Sequence, residues 1–221
     1  MVLVLLIGDL HIPYRSHDLP AKFKKLLLPG KIQQIICTGN VCDRETYDYL
    51  RTVAPEVHVV RGDWDDDPRL PLSLTVTHSP LRIGAVHGHL SVPVGEHDAL
   101  ASIARQMDVD VLVSGHTHKF ETFESQGRFF INPGSATGAW NGETETEETP
   151  SFALMDVQGA VLVTYVYRLI ENEVKVEKIE WRKPSPAERQ VNGATNPASP
   201  RSPVPAPSAP RDIPPSTSAW A

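Results

Sequence analysis

Short runs rich in Val, Ile and Leu alternate with helical polar–apolar patterns through the first part of the chain. Leu3 to Ile7, Gln34 to Thr38 and Val57 to Arg61 are apolar runs of strand length. Between them, Pro20 to Leu28 and Arg44 to Val53 carry helical spacing. Pro20 suits a first helical turn, and Pro29-Gly30 stops the helix. Strands alternating with helices predict parallel βαβ units. The pattern then turns strand-rich. Leu72 to Thr77 and Leu81 to Val86 flank a turn at His78 to Pro80 and read as an antiparallel pair. Asp98 to Met107 reads as a helix and Val109 to Ser114 as a buried strand. Further strands are expected at Glu121 to Glu124, Arg128 to Asn132, Phe152 to Asp156, Val161 to Leu169 and Val174 to Trp181, with turns at Gly159 and Glu171-Asn172.

These elements predict an α/β fold, an αββα sandwich of two packed sheets flanked by helices, over residues 1–183. From Pro184 to Ala221 the chain carries half of its 20 prolines among Ser, Ala and Asn. Such a segment cannot bury enough apolar surface to offset its chain entropy, so residues 184–221 are expected to be a disordered Pro-rich tail. Glu143 to Thr149 is a run of acidic and Thr residues that reads as a solvated surface loop.

With 221 residues and 40% hydrophobic content, one well-buried domain is within reach. A net charge of −6 and a pI near 5.8 argue against nucleic-acid binding by phosphate neutralisation. The opening MVLVLLIGDLH lacks a basic n-region and a small-residue cleavage site, so it reads as a buried first strand and not as a signal peptide. No apolar run reaches the roughly 18 residues of a membrane span. Cys37 and Cys42 are too few for a disulfide framework and fit a reduced, cytosolic chain.

Five polar clusters stand where the strand-like runs end. They are GDLH (Gly8 to His11), GNVCD (Gly39 to Asp43), GDWD (Gly62 to Asp65), HGH (His87 to His89) and GHTH (Gly115 to His118). Carboxylates, amide oxygens and imidazoles are ligands for Zn, Mn and Fe, and no cluster has enough of them alone. Functional residues of open α/β sheets gather beyond the carboxyl ends of parallel strands, where five clusters could together hold two ions. In an extended Asp-x-His or His-x-His, side chains two apart point the same way and reach one centre. Glycines at 8, 39, 62, 88 and 115 would let the backbone turn or approach closely.

The ordered set GD-x-H, GN, GD, HGH and GHTH resembles the calcineurin-like metallophosphoesterases. GDLHIP, LPAKFKKLL, PGKIQ, YDYL, VRGD, SGHTHKFE, INPGSATGA and TYVYRLI are similar, more narrowly, to the branch that supplies the metallophosphoesterase-fold subunit of retromer. The resemblance covers residues 1 to about 183. It implies that Asp9, His11 and His118 hold one divalent metal, Zn or Mn, and that Asp63, His87 and His116 hold a second. It puts Asn40 where the family usually has an Asp bridging both ions, and Asp63 where it usually has Asn. A carboxylate has two charged oxygens to share and an amide one neutral oxygen, so weak or partial metal occupancy is expected.

Active members carry a His at the position of Trp64, and that His protonates the leaving alkoxide. Indole has an N–H but no acceptor and does not exchange protons near neutral pH. Loss of a general acid costs typically 10²–10⁴ in rate. His89 reads as support for the ligand shell, and as a much weaker candidate for the missing acid.

Trp64 is thus expected at the mouth of the cleft as an anchor for a protein partner, since large aromatics are common interface anchors. Leu90, Val92 and Val94 put three aliphatics beside the site without strand alternation, which suits docking better than a phosphate ester. The resemblance implies that this face is clasped by the C-terminal solenoid of vacuolar protein sorting-associated protein 35. It also implies a second apolar patch at Leu154, Tyr165 and Tyr167 for regulators such as a Rab GTPase-activating protein. From strand pattern alone, Tyr165 and Tyr167 share a face that could equally line the core between the sheets. The expected function is a non-catalytic scaffold of retromer in endosome-to-Golgi transport, cytoplasmic and peripheral on endosomes. The alternative is an active divalent-metal-dependent phosphatase or phosphodiesterase.

Overall fold

Residues 2–142 and 148–185 are described by the computed structural model of the chain. The Pro-rich tail from residue 186 onward, and 143–147 of the acidic loop, lie outside the described residues. In chain order the elements are β1 (Val2–Ile7), α1 (Ala21–Lys24), β2 (Gln34–Cys37), α2 (Arg44–Val53), β3 (Glu56–Val59), β4 (Ser73–His78), β5 (Leu81–Val86) and α3 (His97–Met107). They continue as β6 (Val111–Val113), β7 (Phe120–Ser125), β8 (Arg128–Pro133), β9 (Ser151–Gln158), β10 (Val161–Ile170) and β11 (Glu173–Arg182).

Two mixed sheets result. One has the order β11-β10-β9-β1-β2-β3 and the other β4-β5-β6-β8-β7. In the first, β1, β2 and β3 are parallel, with Ile7 beside Cys37 and Cys37 beside Val59. In the second, β5, β6 and β8 are parallel. The central strand β1 reads as an unbroken apolar run because both of its faces are covered, and Val4 to Ile7 are fully buried.

The inner faces of the sheets meet in one cluster that includes Leu6, Ile36, Leu81, Ile83, Val111, Ile131, Met155 and Trp181. Fully burying each large aliphatic of this kind contributes about 1.5–3 kcal/mol. Helices α1 and α2 cover part of the outer face of the six-stranded sheet, where Phe23, Leu27, Leu50 and Val53 pack on Leu5, Ile7 and Ile35. Helix α3 covers the other sheet through Leu100, Ala101 and Ala104. This is the αββα arrangement expected from the sequence.

Helix α2 starts where the Asp43 side chain accepts the N–H groups of Glu45 and Thr46. Helix α1 is shorter than the Pro20 to Leu28 pattern implied. Beyond Lys24, Leu26 N–H bonds to the Phe23 carbonyl and Leu28 N–H to the Leu26 carbonyl, so the segment tightens into turns. Burial of Phe23 and Leu27, four apart, preserves the apolar spacing without a regular helix.

Parallel strands in both sheets direct their carboxyl ends to the same edge of the sandwich. The loops after β1, β2, β3, β5 and β6 therefore gather there, and they carry the five polar clusters.

Candidate metal centre

Leaving a strand and turning at once into a common centre requires backbone that strands do not use. Asp9, His11, Asn40, His116 and His118 all have left-handed backbone, with φ of 50°, 48°, 54°, 72° and 60°. The extended Asp-x-His and His-x-His geometry expected from sequence is therefore replaced by tight left-handed loops. Such conformations cost energy in residues with a side chain and concentrate at functional sites. Two glycines permit the close approach. A Cβ on Gly8 would lie 1.7 Å from Thr38 Oγ1, and one on Gly62 would lie 2.0 Å from Asn40 Oδ1.

Two groups of potential ligand atoms assemble. Asp9, His11 and His118 form one, and Asp63, His87 and His116 the other, each with its atoms within 4.8 Å of one another. His11 Nε2 is 3.1 Å from His118 Nε2. In the second group Asp63 Oδ1 lies 2.9 Å from His87 Nε2 and 3.6 Å from His116 Nδ1. Asn40 joins the groups, with its amide nitrogen 3.2 Å from His11 Nε2 and 3.0 Å from Asp63 Oδ1.

Divalent cations fit this donor set. Asp9 is fully buried and its Oδ1 has no hydrogen-bond donor, an unbalanced negative oxygen of the kind a cation would satisfy. His87 Nδ1–H donates to the Thr38 carbonyl at 2.7 Å, and His118 Nδ1–H donates to the Ala139 carbonyl at 2.6 Å. In a neutral ring each bond leaves the lone pair on Nε2 facing inward, the ligating form, whereas a protonated His87 also donates Nε2–H to Asp63 Oδ1.

Electrostatics couple the two groups. Burial, helped by the neighbouring His118 and Arg15, pushes the His11 imidazole down to about 3. Burial works against charge on Asp63, but hydrogen bonds from His116, His87 and Asn40 outweigh it and hold the carboxyl well below its usual range. His87 is likewise opposed by burial, yet the Asp63 carboxylate and then Asp9 raise it above the usual imidazole value. His89 flanks the second group, its ring 5.2 Å from that of His87, and burial lowers it.

Trp64 stands at the rim, 44% exposed. Its ring meets that of His11 edge-on at 5.9 Å, and the Arg15 guanidinium lies 4.5 Å over it. Arg15 Nη1 also donates to the carbonyl of Trp140, and Tyr14 and Trp140 are exposed aromatics in the same surround. Leu90, Val92 and Val94 lie exposed on the loop between β5 and α3, with Val92 at 86%.

Leu154, Tyr165 and Tyr167 sit elsewhere. Leu154 is paired across the ladder with Tyr165, and Phe152 with Tyr167. Leu154 and Tyr167 join the outer cluster of the six-stranded sheet, so they do not line the core between the sheets. Tyr167 stacks on Phe152 with centroids 4.8 Å apart, and Tyr165 is 37% exposed.

Sequence reasoning missed several residues that hold the centre together. Asp65 accepts three backbone N–H groups, from Asn40, Gly62 and Cys42. Ser135 Oγ donates to the Asp9 carbonyl at 2.7 Å. Asn132 Nδ2 donates to the Gly115 carbonyl and to Thr117 Oγ1. The density of Asp after Gly62 was a legible signal for the first. The other two come from a strand and loop remote in sequence and gave none.

Comparison with known proteins agrees with the fold and the ordering of the clusters. The Calcineurin-like phosphoesterase superfamily domain matches residues 2–160. Vacuolar protein sorting-associated protein 29 of Schizosaccharomyces pombe is 50% identical over 186 residues, 83% of this chain and 100% of that protein. The crystal structure of Chaetomium thermophilum Vps29 superposes with a TM-score of 0.80 at 50% identity, over 83% of this chain and 100% of the other. Wild-type Vps29 from Entamoeba histolytica complexed with Zn matches at a TM-score of 0.77 and 46% identity, over 81% of this chain and 99% of the other.

Proposed function

The chain belongs to the calcineurin-like phosphoesterase superfamily and, within it, to the vacuolar protein sorting-associated protein 29 family, and from that premise we propose a retromer subunit that works as a scaffold and not as a catalyst. Its metal-site face would bind the C-terminal solenoid of vacuolar protein sorting-associated protein 35 and support endosome-to-Golgi transport of membrane cargo. The protein would act in the cytoplasm, held on endosomes through the complex. Among the described residues no helix is long and apolar enough to cross a membrane.

One observation carries the reading. At the rim of the ligand groups stands an exposed indole edge-on to His11, where proton transfer to a leaving group would need an imidazole. On the loop after β5, which begins beside the ligand His87, exposed Leu90, Val92 and Val94 form an apolar stretch that suits burial against a protein. Asp9, His11 and His118 would hold one divalent cation, Zn or Mn, and Asp63, His87 and His116 a second, with Asn40 between them. A bound cation would supply positive charge to a phosphoryl oxygen, but without a general acid the chain could not protonate a poor leaving group. Leu154, Tyr165 and Tyr167 would form a separate docking patch for regulators such as a Rab GTPase-activating protein.

Co-purification tests the reading. Val92→Asp buries nothing and should leave the fold intact, because Val92 is 86% exposed. It is expected to abolish recovery of the solenoid subunit from the native organism, as a charge placed in an apolar contact costs far more than the contact contributed. Undiminished recovery would place the docking surface elsewhere and sink the assignment of this face.

A further inference from the structure

We propose that residues 201–211 of the chain's own Pro-rich tail dock on the exposed aromatic face of the six-stranded sheet and cover the patch at Tyr165 and Tyr167, so that an outside partner must displace them. The inference rests on reading that face as a docking patch and goes beyond it, because it names a resident ligand and hence a regulation.

The face is built from cross-strand rows. Tyr167 pairs with Phe152 on one side and Val176 on the other, and Tyr165 pairs with Leu154 and Lys178. Paired residues point to the same side of a sheet, as do residues two apart on a strand. Tyr165, Tyr167 and Val176 therefore stand together on the outer face, with Tyr165 37% and Val176 53% exposed. The next row sets Asp156, Val163 and Glu180 side by side. Asp156 meets no cation among the described residues: Oδ2 takes the Gln158 amide at 2.6 Å, and Oδ1 has no donor. Glu180 pairs with Lys178 at 3.4 Å, an exposed contact that water weakens. Aromatic and aliphatic surface beside a row of carboxylates fits a proline-rich segment with flanking basic residues.

Residues 201–211 read RSPVPAPSAPR. Pro203, Pro205, Pro207 and Pro210 favour polyproline II, which has little freedom left to lose on an aromatic surface, and Arg201 and Arg211 flank them. The tail also starts in the right place. Arg182 pairs with Val161 at the start of β10, Lys183 N–H donates to the Ala160 carbonyl at 2.9 Å, and Lys183 Nζ reaches Asp110 at 2.7 Å. Because β9 is antiparallel to both β1 and β10, this root lies at the edge opposite the metal centre. At about 3.3 Å per residue, Tyr165 and Tyr167 lie roughly 13 and 20 Å along β10 from it. Pro203 is 18 positions beyond Ser185. A coil of that length has a root-mean-square reach of about 23 Å. Such a match of reach and span gives an effective concentration of about 1 mM, so docking with a Kd of about 1 mM is already half populated.

The test uses the full chain and a full-length variant with Pro203, Pro205, Pro207 and Pro210 all changed to Ala, which leaves the folded residues untouched. Amide resonances of Tyr165, Tyr167 and Val176 should differ between the two proteins, and the difference should survive tenfold dilution. A fluorescent synthetic peptide of residues 201–211 should bind the Pro→Ala variant at least about twofold more tightly than wild type, where the resident segment competes. Adding Tyr165→Ser to that variant should abolish peptide binding. Identical resonances, or equal peptide affinities for the two proteins, overturn the proposal. Differences that fade on dilution also overturn it, since they assign the tail to a second copy. Recovery of the Rab GTPase-activating protein separates this inference from the reading beneath it. Recovery lowered by Tyr165→Ser, with no effect of the Pro→Ala change on resonances or peptide affinity, keeps the patch and removes the tail from it. Peptide competition at Tyr165, with recovery untouched by Tyr165→Ser, supports the docked tail and overturns the patch as a regulator site.

Discussion

The Asp65 carboxylate accepts the backbone N–H of Asn40 at 2.7 Å, across 25 positions of sequence. The same side chain takes Gly62 N–H at 2.9 Å and Cys42 N–H at 3.0 Å, so it ties the loops after β2 and β3 into one wall of the centre. Hydrogen bonds to a charged acceptor contribute about 1.5–3 kcal/mol each, and these three are partly shielded from water. Asp65→Ala should cost about 3 kcal/mol, less than the three bonds summed because Asp65 is only half-buried and water reaches the freed N–H groups, read as a loss of roughly 6–12 °C in melting midpoint. Asp65→Asn, which keeps one acceptor oxygen, should lose less. Equal midpoints for wild type and Asp65→Ala would remove Asp65 from this role.

Replacing the indole probes whether the ligand groups are still placed for chemistry. Trp64→His should raise Mn-dependent hydrolysis of an aryl phosphate by at least about 10-fold, short of the 10²–10⁴ a general acid supplies because an aryl leaving group needs less protonation. The wild type should turn over an unactivated phosphodiester far below the usual 1–10³ per second. Ordinary turnover by purified wild type would instead favour the working phosphoesterase.

Tyr165 and Tyr167 are neighbours on one strand face with different duties. Tyr167 stacks on Phe152 in the outer cluster, so Tyr167→Ala should destabilise the fold by about 2 kcal/mol. Tyr165 is 37% exposed, so Tyr165→Ser should stay within about 0.5 kcal/mol of wild type while weakening regulator binding. Urea melts and a binding assay on the same samples separate the two effects. Matching stability losses would contradict the division.

Acid sensitivity follows from His11. Its folded value of about 3 lies below the ordinary 6.5, so between those values the unfolded chain takes up a proton there that the folded chain refuses. The contribution is complete above pH 6.5 and is lost as the pH falls toward 3. Asp63, held low, adds a loss of the same sign below its ordinary 3.8. His87 has the opposite sign: raised above 6.5, it stabilises at low pH and ceases to as pH rises through its folded value. Chelated wild type should thus lose stability between pH 6.5 and 4.5 more steeply than His11→Gln, as measured by urea titration. Parallel slopes would show that His11 is not the group responsible.

Much of the fold was legible because strand and helix periods are local. The run Val4 to Ile7 had to be buried on both faces, and α2 announced itself through the helical spacing of Arg44 to Val53, whereas the Asp43 cap showed only in the structure. The ligand types were equally plain, since only Asp, Asn and His at strand ends could serve a metal. What the sequence by itself determined was this inventory, two layers of sheet and a set of polar loop residues spaced to meet. Tertiary structure alone decided how they meet. The left-handed loops at Asp9, His11 and His118, the carbonyls that turn the His87 and His118 rings, and the direction of the Asn40 amide all depend on partners far away in sequence. It also decided that Leu154 and Tyr167 join the outer cluster of the six-stranded sheet, outside the core between the sheets. The physical reason is that periodicity fixes which side chains share a face, whereas hydrogen-bond direction and the choice of face are set only when the two sheets close on each other.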